Sequence, residues 1–215
     1  MITVGCAGFA VPATRYFKEY LFVEIQETYL AVPGPGTVRR WRREAPEGFE
    51  FALLGPRQIA QEDFRSGKAL DAALETLAGV AQELSAKTAV FTASPEFSAS
   101  RSNKAALRDF LTRAREAYPT VVFEVPAWKP DEAEGLAEET DTLAARDPLQ
   151  HGLSTKPRAY YRLPGPAGRK SRYEDPAIEK LAEIASEGGE QVATYVFANV
   201  DMFADAKRFK KAIGL

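Results

Sequence analysis

The chain has 215 residues, 45% of them hydrophobic and 27% charged, which is an ordinary globular composition with enough apolar material for one sizeable core; a single domain over 1–215 is the expectation. Twenty-eight basic residues against 30 acidic ones leave a formal charge of −2, so no global field draws the molecule to nucleic acid or acidic lipid, and any anion site has to be local. Cys6 is the only cysteine, which excludes an intrachain disulfide and a cysteine-based zinc cluster and fits a reducing, cytoplasmic setting. No apolar run approaches the roughly 18 residues of a spanning helix, and no charged leader with an apolar core precedes the first strand, so neither membrane insertion nor secretion is expected.

In chain order, the first strand is predicted at 2–5 and runs into Gly5-Cys6-Ala7-Gly8. That turn is too short and wrongly spaced for a dinucleotide or phosphate-loop fingerprint, and no base is visible that would activate Cys6. The second strand, 21–27, sets Val23, Ile25 and Glu27 on one side and Glu24, Gln26 and Thr28 on the other. If the first side faces helices, Glu24 and Gln26 line the interior, where a carboxylate requires a partner or a ligand; a ligand site and a structural hydrogen-bond network are both open. Next comes a helix near 36–44, with Arg39, Arg40, Arg42 and Arg43 around Trp41. The strip resembles an RNA contact with an aromatic platform. The same spacing also lets Val38 and Trp41 face the barrel while the arginines stay solvated.

The third strand, 49–54, ends in Leu54-Gly55-Pro56-Arg57, which puts a guanidinium just past its C-terminal edge as a natural partner for Glu24. A salt bridge that merely closes the mouth is the plainer reading of Arg57. Helices with clear apolar stripes follow at 68–84 and 104–116, separated by a strand at 87–92. The fifth strand, 120–125, carries Glu124 in an otherwise apolar run, a second inward carboxylate; two carboxylates sharing a mouth can divide into acid and base. A helix over 130–146 opens at Pro130, and a sixth strand is placed at 149–154. The seventh strand, 158–162, ends at Arg162 and opens the basic Gly/Pro stretch 164–172 with Arg169, Lys170 and Arg172, read as a mobile loop and as either an anion cradle or a solvated positive surface. A helix from Asp175-Pro176 to Gly188-Gly189 and a strand at 192–198, followed by Asn199 and Asp201, complete the series. His151, the only histidine, is expected to be structural, and a hard-cation site from Glu24, Glu124 and Asp201 is conceivable on chemistry but not chosen.

Strands alternating with helices, without hairpin turns, imply parallel strands joined by right-handed crossovers. Eight units predict an α/β fold, a (β/α)8 barrel shortened relative to the usual ~250 residues, with a doubly wound open sheet as the alternative.

With those residues located, the chain resembles the domain of unknown function 72 family, the YecE-like barrel proteins, nearly end to end. Gly5-Cys6-Ala7-Gly8-Phe9 is similar to the family's Gly-Thr-Ser-Gly-Trp opening, and Phe22-Val23-Glu24-Ile25-Gln26-Glu27-Thr28-Tyr29 to its Val-Glu-Ile-Asn-x-Thr-Phe-Tyr strand. Pro46 to Arg57, Phe123-Glu124 with Trp128, Tyr161-Arg162-Leu163 with Gly165, and Tyr195 to Asn199 continue in order. The resemblance implies a TIM barrel with Glu24, Arg57, Glu124, Arg162 and Asn199 at a shared mouth. Departures are Leu54 in place of a lysine, an Arg-His pair missing before Pro126, Pro164 in place of a histidine, and a single Asn199 where asparagines are paired.

The expected function is a hydrolase-like barrel enzyme, metal-independent or weakly metal-dependent, acting on a small phosphorylated or nucleic-acid-derived anion at the C-terminal mouth. Glu24 and Glu124 are the acid and base candidates; Gln26, Tyr29, Arg57, Trp128, Arg162 and Asn199 are the substrate contacts; Arg169, Lys170 and Arg172 are the phosphate contacts. The alternative is a non-catalytic barrel that binds a ligand, RNA or another protein. Cofactor and oligomeric state are left open by the sequence.

Overall fold

The structure, a computed structural model, describes residues 1–215. Eight strands form one sheet in the order β6-β5-β4-β3-β2-β1-β8-β7, and the strand pairs are parallel. With helices in the connections, this is a (β/α)8, TIM-barrel fold. The chain divides into two compact units: Met1–Glu24 with Pro46–Phe49 and Ala145–Leu215, and Ile25–Ala45 with Glu50–Ala144.

The first unit holds β1 (Ile2–Ala7), α1 (Ala13–Tyr16), the start of β2 (Phe22–Ile25), α8 (Pro148–His151), β7 (Arg158–Leu163), α9 (Asp175–Glu187), β8 (Val192–Phe197) and α10 (Met202–Ala212). Its register fixes which side chains share a face. Gly5 lies beside Val196 and Ala7 beside Glu24, while on the opposite face Tyr161 meets Tyr195 (ring centroids 4.8 Å) and Tyr195 meets Phe209 of α10 (4.9 Å). The inner face therefore combines small residues on β1 with Phe22, Glu24, Tyr160 and Arg162. Gly5 is required there, because a Cβ would sit 2.7 Å from Phe22 Cδ1 and against the Phe22 carbonyl. Between β1 and β2, the Tyr16 hydroxyl accepts from the Cys6 N–H (2.8 Å) and donates to the Phe22 carbonyl (2.8 Å), so a phenol replaces one rung of the ladder.

The second unit holds α2 (Glu27–Leu30), α3 (Pro35–Glu44), β3 (Glu50–Leu54), α4 (Arg57–Gln61), α5 (Lys68–Leu84), β4 (Thr88–Thr92), α6 (Arg101–Ala117), β5 (Thr120–Glu124), α7 (Pro130–Glu139) and β6 (Leu143–Ala144). Phe91 of β4 packs edge-on against Phe110 of α6 (4.8 Å), and the neighbouring positions Val90 and Thr92 take the other face with Leu54 and Glu124. Gly55 lets β3 pass the Phe91 ring, whose Cε1 would lie 2.7 Å from an added Cβ.

Three expectations are corrected. Residues 149–154 are not a strand: Asp147 accepts from the Leu149 N–H (2.9 Å) and Pro148 occupies the first helical turn, so the chain forms α8. The sixth strand is instead Leu143–Ala144, paired with Val122 and Phe123, inside the stretch read as helix; α7 stops at Glu139 because Asp141 takes a positive φ of 50°. The second strand ends at Ile25, since Gln26 is already helical (φ −92°, ψ −21°), and the alternating polar face therefore reduces to Glu24. The C-terminal helix α10 adds an element beyond those expected.

Two predictions follow from this packing. Tyr16→Phe leaves a buried N–H and a buried carbonyl without their partner and is expected to lower the unfolding free energy by about 2–4 kcal/mol in urea melts; an unchanged melt would mean the ladder closes without the hydroxyl. Cys6 is buried, its thiol donates to the Met202 carbonyl, and burial pushes its pKa from 9.0 to about 12, with the Tyr16 hydroxyl opposing and Asp205 adding to the rise. Between those two values the unfolded chain has lost the proton and the folded chain keeps it, so stability falls as pH rises through that window. Thiolate absorbance should stay absent in folded protein at pH 10, and Cys6→Ala should lose less stability than wild type between pH 8 and 10.5.

Candidate functional site

Glu24 is the most enclosed charge in the molecule, with 0% exposure on a strand whose other residues are Phe22, Val23 and Ile25. A carboxylate in such surroundings demands donors. They come from β7: the Tyr160 hydroxyl donates to Oε2 (2.8 Å) and the Arg162 guanidinium donates to Oε1 (2.9 Å). Tyr160 and Arg162 stand two residues apart and so share a face of their strand, which lets one strand supply both donors. Arg162 is itself buried, with its side chain 9% exposed. Phe22 packs edge-on to the Tyr160 ring at 6.3 Å. The guanidinium on Glu24 is thus Arg162, where the sequence pointed to Arg57.

Around the C-terminal ends of these strands lie further buried polar groups. The backbone of Arg146 bridges β7 at Tyr161, and Asp147, 9% exposed, follows it. Asp147 caps α8 and also accepts from the Gln150 amide (3.0 Å). Its charge reaches Tyr173, whose phenol is pushed up first by burial and then by Asp147. Asn199, 3% exposed just past β8, donates to Asp205 (2.7 Å) and to the Ser171 carbonyl (3.1 Å). Asp205 in turn accepts from the Tyr173 N–H (3.0 Å) and from Arg208 (2.7 Å).

This network ties the 164–172 stretch to its surroundings by hydrogen bonds. Gly165 and Gly168 take positive φ (99° and 84°), the Tyr173 hydroxyl accepts from the Gly165 N–H (2.8 Å), and the Ser171 hydroxyl closes the turn between Ala167 and Gly168. Arg169, Lys170 and Arg172 are exposed on this tied loop, and Arg172 pairs with Glu174 (3.2 Å).

The other expected site residues belong to the second unit. Glu124 ends β5, half-buried, in register with Thr92. Arg57 is exposed at the first position of α4. Gln26 and Tyr29, both half-buried, lie on the turn that follows β2. Trp128 is committed to packing: its indole N–H donates to the Phe97 carbonyl (2.9 Å), its ring stacks on Phe97 (6.0 Å, 8°) and Lys104 lies over it (5.7 Å), so a free aromatic platform for substrate is not what it offers. His151 and Asp201 are exposed. No three His, Cys, Asp or Glu side chains gather where they could share a metal ion.

Two polar groups of the cluster escape sequence inspection. Tyr160 was legible in principle, by applying the two-residue alternation backward from Arg162. Asp147 carries an Asp-Pro helix-start signal that the strand placed at 149–154 obscured.

Comparison with known proteins places this geometry in context. A family model described as Protein of unknown function DUF72 matches residues 13–215. Among solved structures, a DUF72 family protein from Enterococcus faecalis V583 is similar with a TM-score of 0.79 at 16% identity, over 100% of this chain and 96% of that one. A DUF72 family protein from Thermotoga maritima MSB8 gives 0.72 at 20% identity, with 100% of both chains covered. A sugar phosphate isomerase/epimerase from Parabacteroides distasonis ATCC 8503 gives 0.59 at 11% identity, over 97% of this chain and 94% of that one, a likeness of fold. Comparison with curated proteins finds no match. With the family pattern running from residue 13 to the last residue and whole-length likeness to two of its solved members, the chain belongs to the DUF72 family of TIM-barrel proteins.

Proposed function

We propose that this chain is a barrel enzyme that works on a small phosphorylated or nucleic-acid-derived anion at the C-terminal ends of β2, β7 and β8. The observation that carries the reading is the buried Glu24–Arg162 ion pair with its Tyr160 hydrogen bond. Enclosing two opposite charges costs desolvation that their attraction only roughly offsets, so such a pair is weak as a stabiliser and is a reason to look for a role. In this reading Arg162 supplies the positive charge that meets a developing oxyanion. Glu24 fixes the plane of that guanidinium and is the group that exchanges a proton with substrate. Asn199, with its amide nitrogen already donating to Asp205 and Ser171, offers its amide oxygen at the neighbouring strand end, and the tied loop with Arg169, Lys170 and Arg172 is the phosphate contact. The sugar phosphate isomerase/epimerase from Parabacteroides distasonis has a similar fold, which supports the substrate class by analogy of architecture. The whole chain, 1–215, is taken as one domain, in keeping with its eight-stranded sheet, and as cytoplasmic, in keeping with its single free cysteine.

A second reading is favoured by one observation: both oxygens of Glu24 already accept hydrogen bonds. That is the state of an anchor, and it fits a barrel that binds the same class of anion without turning it over.

The experiment is a thermal-shift and turnover screen against phosphate monoesters, sugar phosphates and nucleotides. A ligand at about 100 times its Kd stabilises by about 2.7 kcal/mol, a rise of roughly 5–10 °C in a chain of this size. The rise should vanish in Arg162→Gln. Product formed by wild type and lost in Glu24→Gln supports the enzyme, binding without product leaves the second reading, and no stabilisation by any compound overturns both.

A further inference from the structure

We infer that the exposed face of α3 is a track for the sugar-phosphate backbone of a nucleic acid, held by Arg39, Arg40 and Arg43. The inference stands apart from the proposed catalytic function, because it rests on a different surface.

On a helix turning 100° per residue, Arg39, Arg43 and Arg40 fall within a 100° arc. Val38 and Trp41 occupy the opposite side and are buried, at 2% and 7% exposure. Arg42, between the two faces, is half-buried, with its guanidinium 5.4 Å from the centre of the Phe51 ring. The helix is therefore held by one face, and the three remaining arginines stand in solvent on the other. Gly36 falls in the same arc and is open around its Cα, with nothing within 4 Å of an added Cβ, so the stripe is not crowded by a side chain at its N-terminal end.

What sets this face apart is that three cations without counter-charge share it. Many cations on other helices are paired, as Arg108 with Glu139 (2.7 Å), Arg113 with Asp71 (2.6 Å), Lys104 with Glu132 (2.7 Å) and Lys207 with Glu19 (2.8 Å), and others, like Lys68 and Arg101, are the one cation of their helix that meets no carboxylate. Arg39, Arg40 and Arg43 meet no carboxylate. Two of their spacings are i,i+3 and i,i+4, at which like charges oppose the helix. A solvated face chosen for helix stability would interleave acids here, as α9 does with Lys180 and Glu183. The arrangement makes sense when an outside partner brings the negative charge.

The chemistry selects the partner. All three cations are arginine, whose planar fork binds phosphate oxygens in pairs and stacks on bases, where lysine would offer a point charge. Side chains three and four apart on a helix are separated by about 5–6 Å at Cβ, a spacing on the scale of successive phosphates in one strand. The stripe is also narrow: Glu44, Glu47 and Glu50 follow it directly, exposed, and the molecule as a whole is acidic at −2. A line of positive charge flanked by acids fits a line of phosphates and opposes a broad anionic membrane plane. Leu30 and Val32, exposed at 71% and 45% just before the helix, supply apolar surface against which an unstacked base can rest.

The test is fluorescence anisotropy with labelled single-stranded RNA and DNA of about 20 nucleotides, with wild type, Arg39→Gln/Arg40→Gln/Arg43→Gln, and a control, Arg108→Gln/Arg113→Gln. Wild type should bind, with affinity falling as salt rises from 50 to 200 mM. The α3 variant should bind at least tenfold more weakly and its log–log salt slope should shrink by about 2, as expected when three single-strand phosphate contacts are lost. The control should bind like wild type, and the α3 variant should melt no lower than wild type, since it removes like-charge repulsion from an exposed face. No binding by wild type, equal loss in the control, or an undiminished salt slope in the α3 variant overturns the inference. Stronger retention on vesicles of anionic phospholipid than on either oligonucleotide overturns it in favour of a membrane surface.

Discussion

The fold of the first unit is organised around one buried ion pair. Glu24 sits at zero exposure on β2, and its two oxygens are met by Tyr160 and Arg162 from the same face of β7. Strands β1 and β8 lie between β2 and β7 in the sheet, so the contact spans the inner face. That span explains the small residues on β1: Gly5 and Ala7 leave the room that Phe22, Tyr160 and the Arg162 side chain fill. It also explains why the opposite face of the same strands is aromatic, with Tyr161, Tyr195 and Phe197 packed toward Phe209 and Tyr173. Apolar packing outside and a closed charge pair inside are two answers to the same alternation.

The rim repeats this economy of donors. Asn199, Asp205, Tyr173 and Arg208 bind the 164–172 loop to α10, so the exposed cations of that loop are presented on a hydrogen-bonded backbone. The polar residues on this side thus form two connected sets, one centred on Glu24 and one on Asp205. The second has a plain structural task, whereas the first is enclosed at a cost that packing alone does not explain.

How much of this could be read from sequence depends on the range of the interactions. The helix at 68–84 was legible to the residue, because its apolar stripe is local and Gly67 and Ser85 bound it. The strand Leu143–Ala144 was not, because two residues carry no pattern and only pairing with Val122 and Phe123 makes them a strand. Glu24 stood out on the polar side of the second strand, and Arg162 by its place at a strand end. Their pairing, across 138 residues of sequence, depends on register that no local signal encodes, which is why Arg57 looked the nearer partner. Trp128 was chosen for its place after the fifth strand and in the family pattern; its hydrogen bond to Phe97 and its stacking on that ring depend on a contact 31 residues away in sequence. The α3 arginines were visible at once; their want of counter-ions was not.

The central claim is that the fold carries the Glu24–Arg162 pair for what it does, at no net gain in stability. The most direct measurement is a double-mutant cycle of Glu24→Leu and Arg162→Met followed by urea unfolding. Each single change should cost about 3–5 kcal/mol by stranding the other charge, while the double change should be as stable as wild type or more so. A double variant that remains about 3–5 kcal/mol less stable than wild type, like each single one, would show that the pair is a net stabilising bond and would contradict the account.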